Sequence, residues 1–318
     1  MPGNAELVVE TTGLRKEFRT RRGRHVVAVD GLDLAVPAGG VHGFLGPNGS
    51  GKTTTIRMML NIILPDSGTI AVLGQRSSTA ARDAVGYLPE ERGLYKKMQV
   101  RRVLRYYGQL KGRSTAELDP VISQWLARLH LAEWADKRVD QLSKGMAQKV
   151  QFISAIVSRP KLVILDEPFS GLDPVNAESL RDAVFELRRQ GTTIVFSTHD
   201  MGAAEKMCDR IFMIFRGRKV LDGSLDEIQA QYGHDTIRVR LAGGAPVLHG
   251  IDGLESVNDH GNFQDVRVAG SPQRFLHQLV QRTDVHQFEI TKPSLADIFV
   301  RIAKPPADAV TGAALEGH

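Results

Sequence analysis

The chain has 318 residues, 42% of them hydrophobic and 24% charged, with a net charge of +5 at pH 7; this is the composition of a globular protein long enough for about two domains. One cysteine, Cys208, excludes an intramolecular disulfide framework and reads as a small buried apolar residue. Met1-Pro2-Gly3-Asn4-Ala5-Glu6 has no basic segment leading into an apolar core, and the longest apolar runs, such as Leu162–Leu165 and Ile211–Phe215, fall far short of the roughly 20 residues of a membrane helix, so neither a secretory signal nor a transmembrane span is expected.

The positive charge is spread along the chain apart from Arg15–Arg24 and Arg92–Arg105. Neither cluster interleaves aromatics for base stacking, and no helix-turn-helix or zinc pattern accompanies them, so no nucleic-acid partner is expected.

In chain order, Leu7–Thr12 and Val26–Val36 are predicted as antiparallel strands around a polar loop, Arg19–Arg24, with a turn at Pro37–Gly40. Val41-His42-Gly43-Phe44-Leu45 is a buried strand. It leads into Gly46-Pro47-Asn48-Gly49-Ser50-Gly51-Lys52-Thr53 and then the helical Thr54-Thr55-Ile56-Arg57-Met58-Met59-Leu60. This is G-x-x-x-x-G-K-[ST] between a strand and a helix start, where its mechanism requires it. Glycines let successive N–H groups converge on phosphate oxygens, and the helix dipole favours the negative charge. Asn48, Gly49, Ser50, Gly51, Lys52, Thr53 and Thr54 are therefore candidate nucleotide-binding residues, with Lys52 reaching the β- and γ-phosphates and the Thr53 hydroxyl binding Mg²⁺.

Pro65–Gly68 is a turn before the strand Thr69–Leu73, and Ala84–Leu88 is a strand running into Pro89. From about 99 to 160 the apolar residues take helical spacing, as in Val103-Leu104-Tyr107-Leu110 and Val121-Ile122-Trp125-Leu126-Leu129, which predicts an inserted helical subdomain. Leu162–Leu165 is a buried strand closed by Asp166-Glu167-Pro168. Helix Val175–Arg189, strand Thr192–Phe196, helix Asp200–Met207 and strand Ile211–Ile214 complete an α/β pattern with a parallel sheet and helices on both faces. Residues 234–304 restart as a small α+β domain with a closing helix over Leu295–Ile302, and 305–318 read as a disordered tail.

Asp166, at a strand end, stands where a carboxylate holds Mg²⁺ beside the phosphate loop; Glu167, next to it, stands where a base polarises a water for attack on the γ-phosphate. Two acids at a strand end also occur as a plain solvated turn. The phosphate loop favours the metal and base roles.

Three further stretches, Leu142-Ser143-Lys144-Gly145-Met146, Ser170-Gly171-Leu172-Asp173-Pro174 and Ser197-Thr198-His199-Asp200, complete an order and spacing that resembles the nucleotide-binding subunits of ABC transporters. The resemblance runs from Leu7 to about Ile228. It implies an α/β fold, a P-loop NTPase core of the ABC-ATPase kind with a mixed sheet, antiparallel N-terminal strands and an inserted helical subdomain, spanning 1–233, followed by the α+β domain. It implies ATP and Mg²⁺ as cofactors, and adenine stacking on Phe18. It assigns Lys52, Glu167 and His199 to catalysis, Thr53, Glu90 and Asp166 to the metal, Ser143 and Gly145 to the ATP of a second subunit, and Asp173 to communication across the dimer.

Two positions depart from the family pattern. Lys144 and Met146 replace the usual glycine and glutamine of the signature, and Glu90 stands where the Q-loop glutamine belongs, adding negative charge beside the phosphates. These departures, with Ser294-Leu295-Ala296-Asp297-Ile298-Phe299, resemble a bacterial export subgroup that includes sodium-extrusion pumps. The implied partners are a second ATP-binding subunit, identical or different, and an integral-membrane permease that docks on the helical subdomain and the Glu90 loop. The implied location is cytoplasmic, peripheral on the inner face of the membrane. Rival readings are an ATP switch acting on nucleic acid or the ribosome, and a non-hydrolysing regulatory module in which the segment from Thr236 onward senses a ligand. A single phosphate loop without sustained heptads argues against the first, and intact Lys52, Asp166, Glu167 and His199 argue against a dead site.

Overall fold

The computed structural model describes residues 6–19, 23, 25–76, 84–91, 93–232 and 236–303. The expected tail 305–318, most of the loop 19–24 and the expected domain boundary at 233/234 lie outside the described residues. The chain divides into two compact units, Met1–Ser224 and Leu225–His318.

In the first unit, β1 (Leu7–Arg19), β2 (His25–Pro37), β4 (Ser67–Val72) and β5 (Gln75–Arg76) form an antiparallel sheet in the order β2-β1-β4-β5. β1 runs well past the expected end at Thr12. Gly13 takes φ +58° where the β1–β2 register shifts between Thr11 and Leu14, so the strand absorbs a bulge and continues. Broken alternation at Gly13 had hidden this. A second sheet has the order β10-β9-β3-β8-β7-β6, from β3 (Val41–Leu45), β6 (Val85–Leu88), β7 (Leu162–Asp166), β8 (Thr193–Thr198), β9 (Arg210–Phe215) and β10 (Arg218–Gly223). All its pairings are parallel except β9–β10.

Alternate residues of β7 enter opposite cores. Leu162 and Ile164 join Phe44, Ile56, Met58 and Phe212 on one face, whereas Val163 and Leu165 join Phe152, Ile153, Leu180 and Phe196 on the other. A strand buried on both sides reads as a continuous apolar run, as Leu162–Leu165 does. The first face is covered by helix Lys52–Met59 together with the antiparallel sheet of the N-terminal strands. The second is covered by helices Val100–Leu110, Thr115–Arg128, Lys144–Ile156 and Pro174–Arg189. Val103, Leu104, Val121, Ile122, Trp125, Leu126 and Leu129 are buried there as their spacing predicts, but Leu110, at the last helical position, is exposed. Cys208 packs against this core, and burial pushes its thiol pKa up.

In the second unit, β11 (Thr236–Leu241), β12 (Leu254–Asp259), β13 (Gln264–Val268) and β14 (Val285–Thr291) form an antiparallel sheet in the order β12-β13-β11-β14. Ile237, Val239 and Leu241 pack with Phe275 and Leu279 of helix Pro272–Val280. Arg238, in the intervening register, makes a two-pronged pair with Asp265 at 2.8 and 2.9 Å. Helix Leu295–Ala303 closes the unit with Leu295 and Ile298 buried. Among the described residues, no helix is long and apolar enough to cross a membrane.

Candidate active site

The parallel strands β3, β7 and β8 end side by side, and their C-terminal residues carry the polar groups. Gly46 leaves β3 at φ +153°, where a Cβ would stand 2.2 Å from the Ile214 carbonyl oxygen. Gly51, at φ +109°, is the N-cap of helix Lys52–Met59 and supplies no side-chain cap; a Cβ there would stand 2.3 Å from the Ala28 carbonyl oxygen. Both positions admit only glycine. The uncapped first turn keeps its N–H groups free for an anion. Lys52 folds back over the loop and donates to the carbonyls of Gly46 at 2.7 Å and Pro47 at 3.2 Å.

The Asp166 and Glu167 carboxylates meet different side chains. Asp166 Oδ1 accepts from Thr53 Oγ1 at 3.4 Å and from the Ser197 hydroxyl, while its Oδ2 is buried with no hydrogen-bond partner. Glu167 takes a left-handed φ of +48°, a strained turn for a non-glycine residue. Its N–H is held by Ser197 O at 3.1 Å and Ser197 Oγ at 3.2 Å. That turn brings its carboxylate 2.9 Å from His199 Nδ1, 3.4 Å from Thr198 Oγ1 and 3.9 Å from Lys52 Nζ. Lys52 and Glu167 are 6% and 8% exposed, so their charges interact with little solvent screening.

Phe18, Ala28, residues 48–54, Glu90 and Glu167 line one cleft of about 390 Å³. Asp166 joins it through Thr53, and His199 through Glu167. Burial pushes the Lys52 ammonium below its usual range, and the carboxylates of Glu167, Asp166 and Glu90 oppose that shift. Three carboxylates around one lysine repel a polyphosphate unless a cation enters with it. The donor set fits such a cation: Asp166 Oδ2 is buried and unpartnered, with the Thr53 hydroxyl beside the same carboxylate. Among the described residues, no three His, Cys, Asp or Glu side chains group to hold a metal alone, which suits Mg²⁺ drawing the rest of its shell from phosphates and water. Bound there with nucleotide, it would neutralise charge developing between the β- and γ-phosphates.

Ser143 and Gly145 lie outside this cleft. Ser143 caps helix Lys144–Ile156, accepting from Met146 N at 3.2 Å, and lines a separate 460 Å³ hollow with Leu94, Lys96 and Lys144. Gly145 is pressed against Asn176, whose backbone N–H donates to Asp173 Oδ1 at 2.9 Å. These N–H bonds hold the Asp173 carboxyl below its usual range. The Lys144 ammonium reaches over Gly171 of the Ser170–Pro174 stretch. The chain thus gathers its candidate residues into two groups, one around Lys52 and one around Ser143 and Asp173.

Further residues of the site escape sequence reasoning. Ala28 walls the cleft with backbone and a methyl group, which leaves no chemical signature. Ser197 and Thr198 sit in the quoted Ser197–Asp200 stretch, where only His199 was singled out. Gln151 donates to the carbonyls of Pro89 at 3.4 Å and Glu91 at 3.0 Å, on either side of Glu90. Only the packing of its helix against that loop reveals this.

A family model described as "ABC transporter" matches residues 29–170, and one described as "ATP-binding protein DrrA1-3-like, C-terminal domain" matches 223–303. A third, "AAA domain, putative AbiEii toxin, Type IV TA system", falls at 136–205 within the first unit. The ABC transporter ATP-binding protein YhaQ of Bacillus subtilis is 39% identical over 275 residues, 86% of this chain and 92% of that protein. The chain belongs to the ATP-binding subunits of ABC transporters. The Nod factor export ATP-binding protein I of Rhizobium sp. is 32% identical over 94% of this chain and 97% of that protein. A solved ATP-binding subunit of an ABC transporter superposes with a TM-score of 0.65 at 30% identity, over 71% of this chain and 93% of that one. As a member of this family the chain binds ATP and is an ATPase.

Proposed function

We propose that the chain is the ATPase of an exporter: two copies, or one copy and a similar subunit, close on two ATP molecules with Mg²⁺ and so drive a separate membrane permease. The observation that carries this reading is the separation of the two polar groups. The Lys52 cleft holds the lysine and the carboxylates that would take a triphosphate together with its cation, whereas exposed Ser143 and buried Gly145 stand at a helix start beside a different hollow of the same unit. A second chain brings the missing half.

Within that reading Lys52 binds the β- and γ-phosphates, Phe18 stacks on adenine, and Thr53, Asp166 and Glu90 serve the cation. Glu167 takes a proton from the attacking water, oriented by His199, whose Nδ1 tautomer donates to it. Asp173, tied through Asn176 to Gly145, reports closure across the pair. Export as the direction draws support from the Nod factor export relative and from the DrrA1-3-like match over 223–303. The permease places the subunit on the inner face of the membrane. Its docking surface is the apolar groove of about 320 Å³ lined by Tyr87, Pro89, Leu94 and Tyr107, with Leu110 exposed on its rim. Arg92, expected on this surface, lies outside the described residues.

Capture of the tagged chain from detergent-solubilised membranes tests the assembly. A multi-span protein that co-purifies and raises ATPase turnover is expected, and Glu90→Ala should blunt that stimulation. Recovery of ribosomes or DNA instead of a membrane protein would overturn it.

A further inference from the structure

Ser197 bonds to both acids at once. It lies at the end of β8, fully buried, directly across the parallel ladder from Asp166. Its hydroxyl donates to Asp166 Oδ1 and accepts from the backbone N–H of Glu167 at 3.2 Å. A hydroxyl has one proton to give and lone pairs to receive, so this arrangement uses the side chain in both senses. An alanine would leave the Glu167 N–H with its Ser197 carbonyl bond, but Asp166 Oδ1 with only the longer Thr53 bond at 3.4 Å.

The consequence falls on the other carboxylate oxygen. With Oδ1 claimed by Ser197, Oδ2 is left buried and unpartnered, a state that costs free energy until a cation or its water fills it. We propose that Ser197 is a positioning residue for the metal: it locks the Asp166 carboxylate so that Oδ1 stays on the protein and Oδ2 is reserved for the divalent cation. Because the same hydroxyl holds the Glu167 turn, cation and base are set by one group. This rests on the reading of Asp166 as the metal's carboxylate.

The test uses Mn²⁺ as a paramagnetic stand-in, titrated by electron paramagnetic resonance into the full chain with a slowly hydrolysed ATP analogue, beside analogue binding in EDTA. Ser197→Ala removes little volume, so the fold should hold, as a thermal melt checks. The expected result is Mn²⁺ affinity weakened about tenfold, the typical worth of one hydrogen bond to a charged group, with metal-free nucleotide affinity unchanged. Ser197→Thr, which keeps the hydroxyl, should restore it. Unchanged Mn²⁺ affinity in Ser197→Ala, equal loss of metal-free nucleotide binding, or a threonine variant that behaves like alanine would each overturn the proposal. Asp166→Asn separates the two levels. If it leaves Mn²⁺ binding intact the metal site itself is misassigned, whereas if it weakens binding and Ser197→Ala does not, only the role of Ser197 falls.

Discussion

The helix that begins at Lys52 and the helix that begins at Lys144 start in opposite ways. Gly51 offers the first no side-chain cap, and the charges around it are buried: Lys52 against Glu167, with Asp166 behind Thr53. Ser143 caps the second with its own hydroxyl, and Ser143 and Lys144 are exposed. Buried charges are tolerated only where opposite charges or hydrogen bonds meet them. The Lys52 half is therefore built around partners it already holds, with an uncapped helix start suited to an anion. The exposed half caps one N–H of its helix start with its own serine and leaves its surface to a second chain.

The sharpest way to break this contrast is at the buried half. Glu167→Gln keeps the shape and removes the base, so turnover should fall roughly a hundredfold or more while ATP binding persists and an ATP-bound dimer accumulates. Steady-state phosphate release and light scattering read the two effects, and near-normal hydrolysis would remove Glu167 as the base. Lys52→Ala comes next. It strips a charged donor from the phosphate cradle and should weaken ATP about tenfold or more, as calorimetry would show; equal affinity would mean the loop is not the phosphate site.

At the exposed half the effect should be smaller and of another kind. A Cβ at Gly145 would stand 2.5 Å from Asn176 Nδ2. Gly145→Ala should therefore displace Asn176 and Asp173, weakening ATP-driven dimerisation roughly fivefold with ATP affinity of the single chain unchanged. A loss of single-chain affinity would put the two halves in one site after all.

The smallest effect concerns what ties the helices together. Glu186 accepts from Arg128, at the end of Thr115–Arg128, at 2.8 Å. Arg128, Arg189 and Gln190 pull its carboxyl from 4.5 down to about 2. A depressed carboxyl stabilises the fold above its unfolded value and loses that contribution as pH falls from 4.5 toward 2. Glu186→Gln should lower Tm by roughly 1–3 °C at pH 7, and the gap should close across that acid window. A gap that persisted at pH 2 would detach it from the charge.

Much of the buried half was legible in the chain. The spacing of Gly46, Gly51, Lys52 and Thr53 names the loop, and two acids after four apolar residues name the strand end. Glu167 as a partner of Lys52 was not legible, because it depends on a positive φ that no residue type announces. The exposed half was legible only through family resemblance: Ser143-Lys144-Gly145 states no chemistry of its own, and Asn176, which Gly145 touches, had no reason to be noticed. Ser197 and Gln151 were hidden for a further reason. Serine and glutamine are frequent residues whose meaning comes from what lies across the ladder or against the helix.

The amino-acid order by itself determined most of the strands and helices and the shape of the glycine loop before Lys52, because strand burial, helix spacing and glycine requirements are local properties written at fixed intervals. Tertiary structure decided which polar groups meet. Parallel pairing brings Asp166 opposite Ser197 from 31 residues away, and the packing of Lys144–Ile156 against the second face sets Ser143 apart from Lys52. Distances across a sheet are fixed by register and layer, and neither is carried by any single stretch of chain.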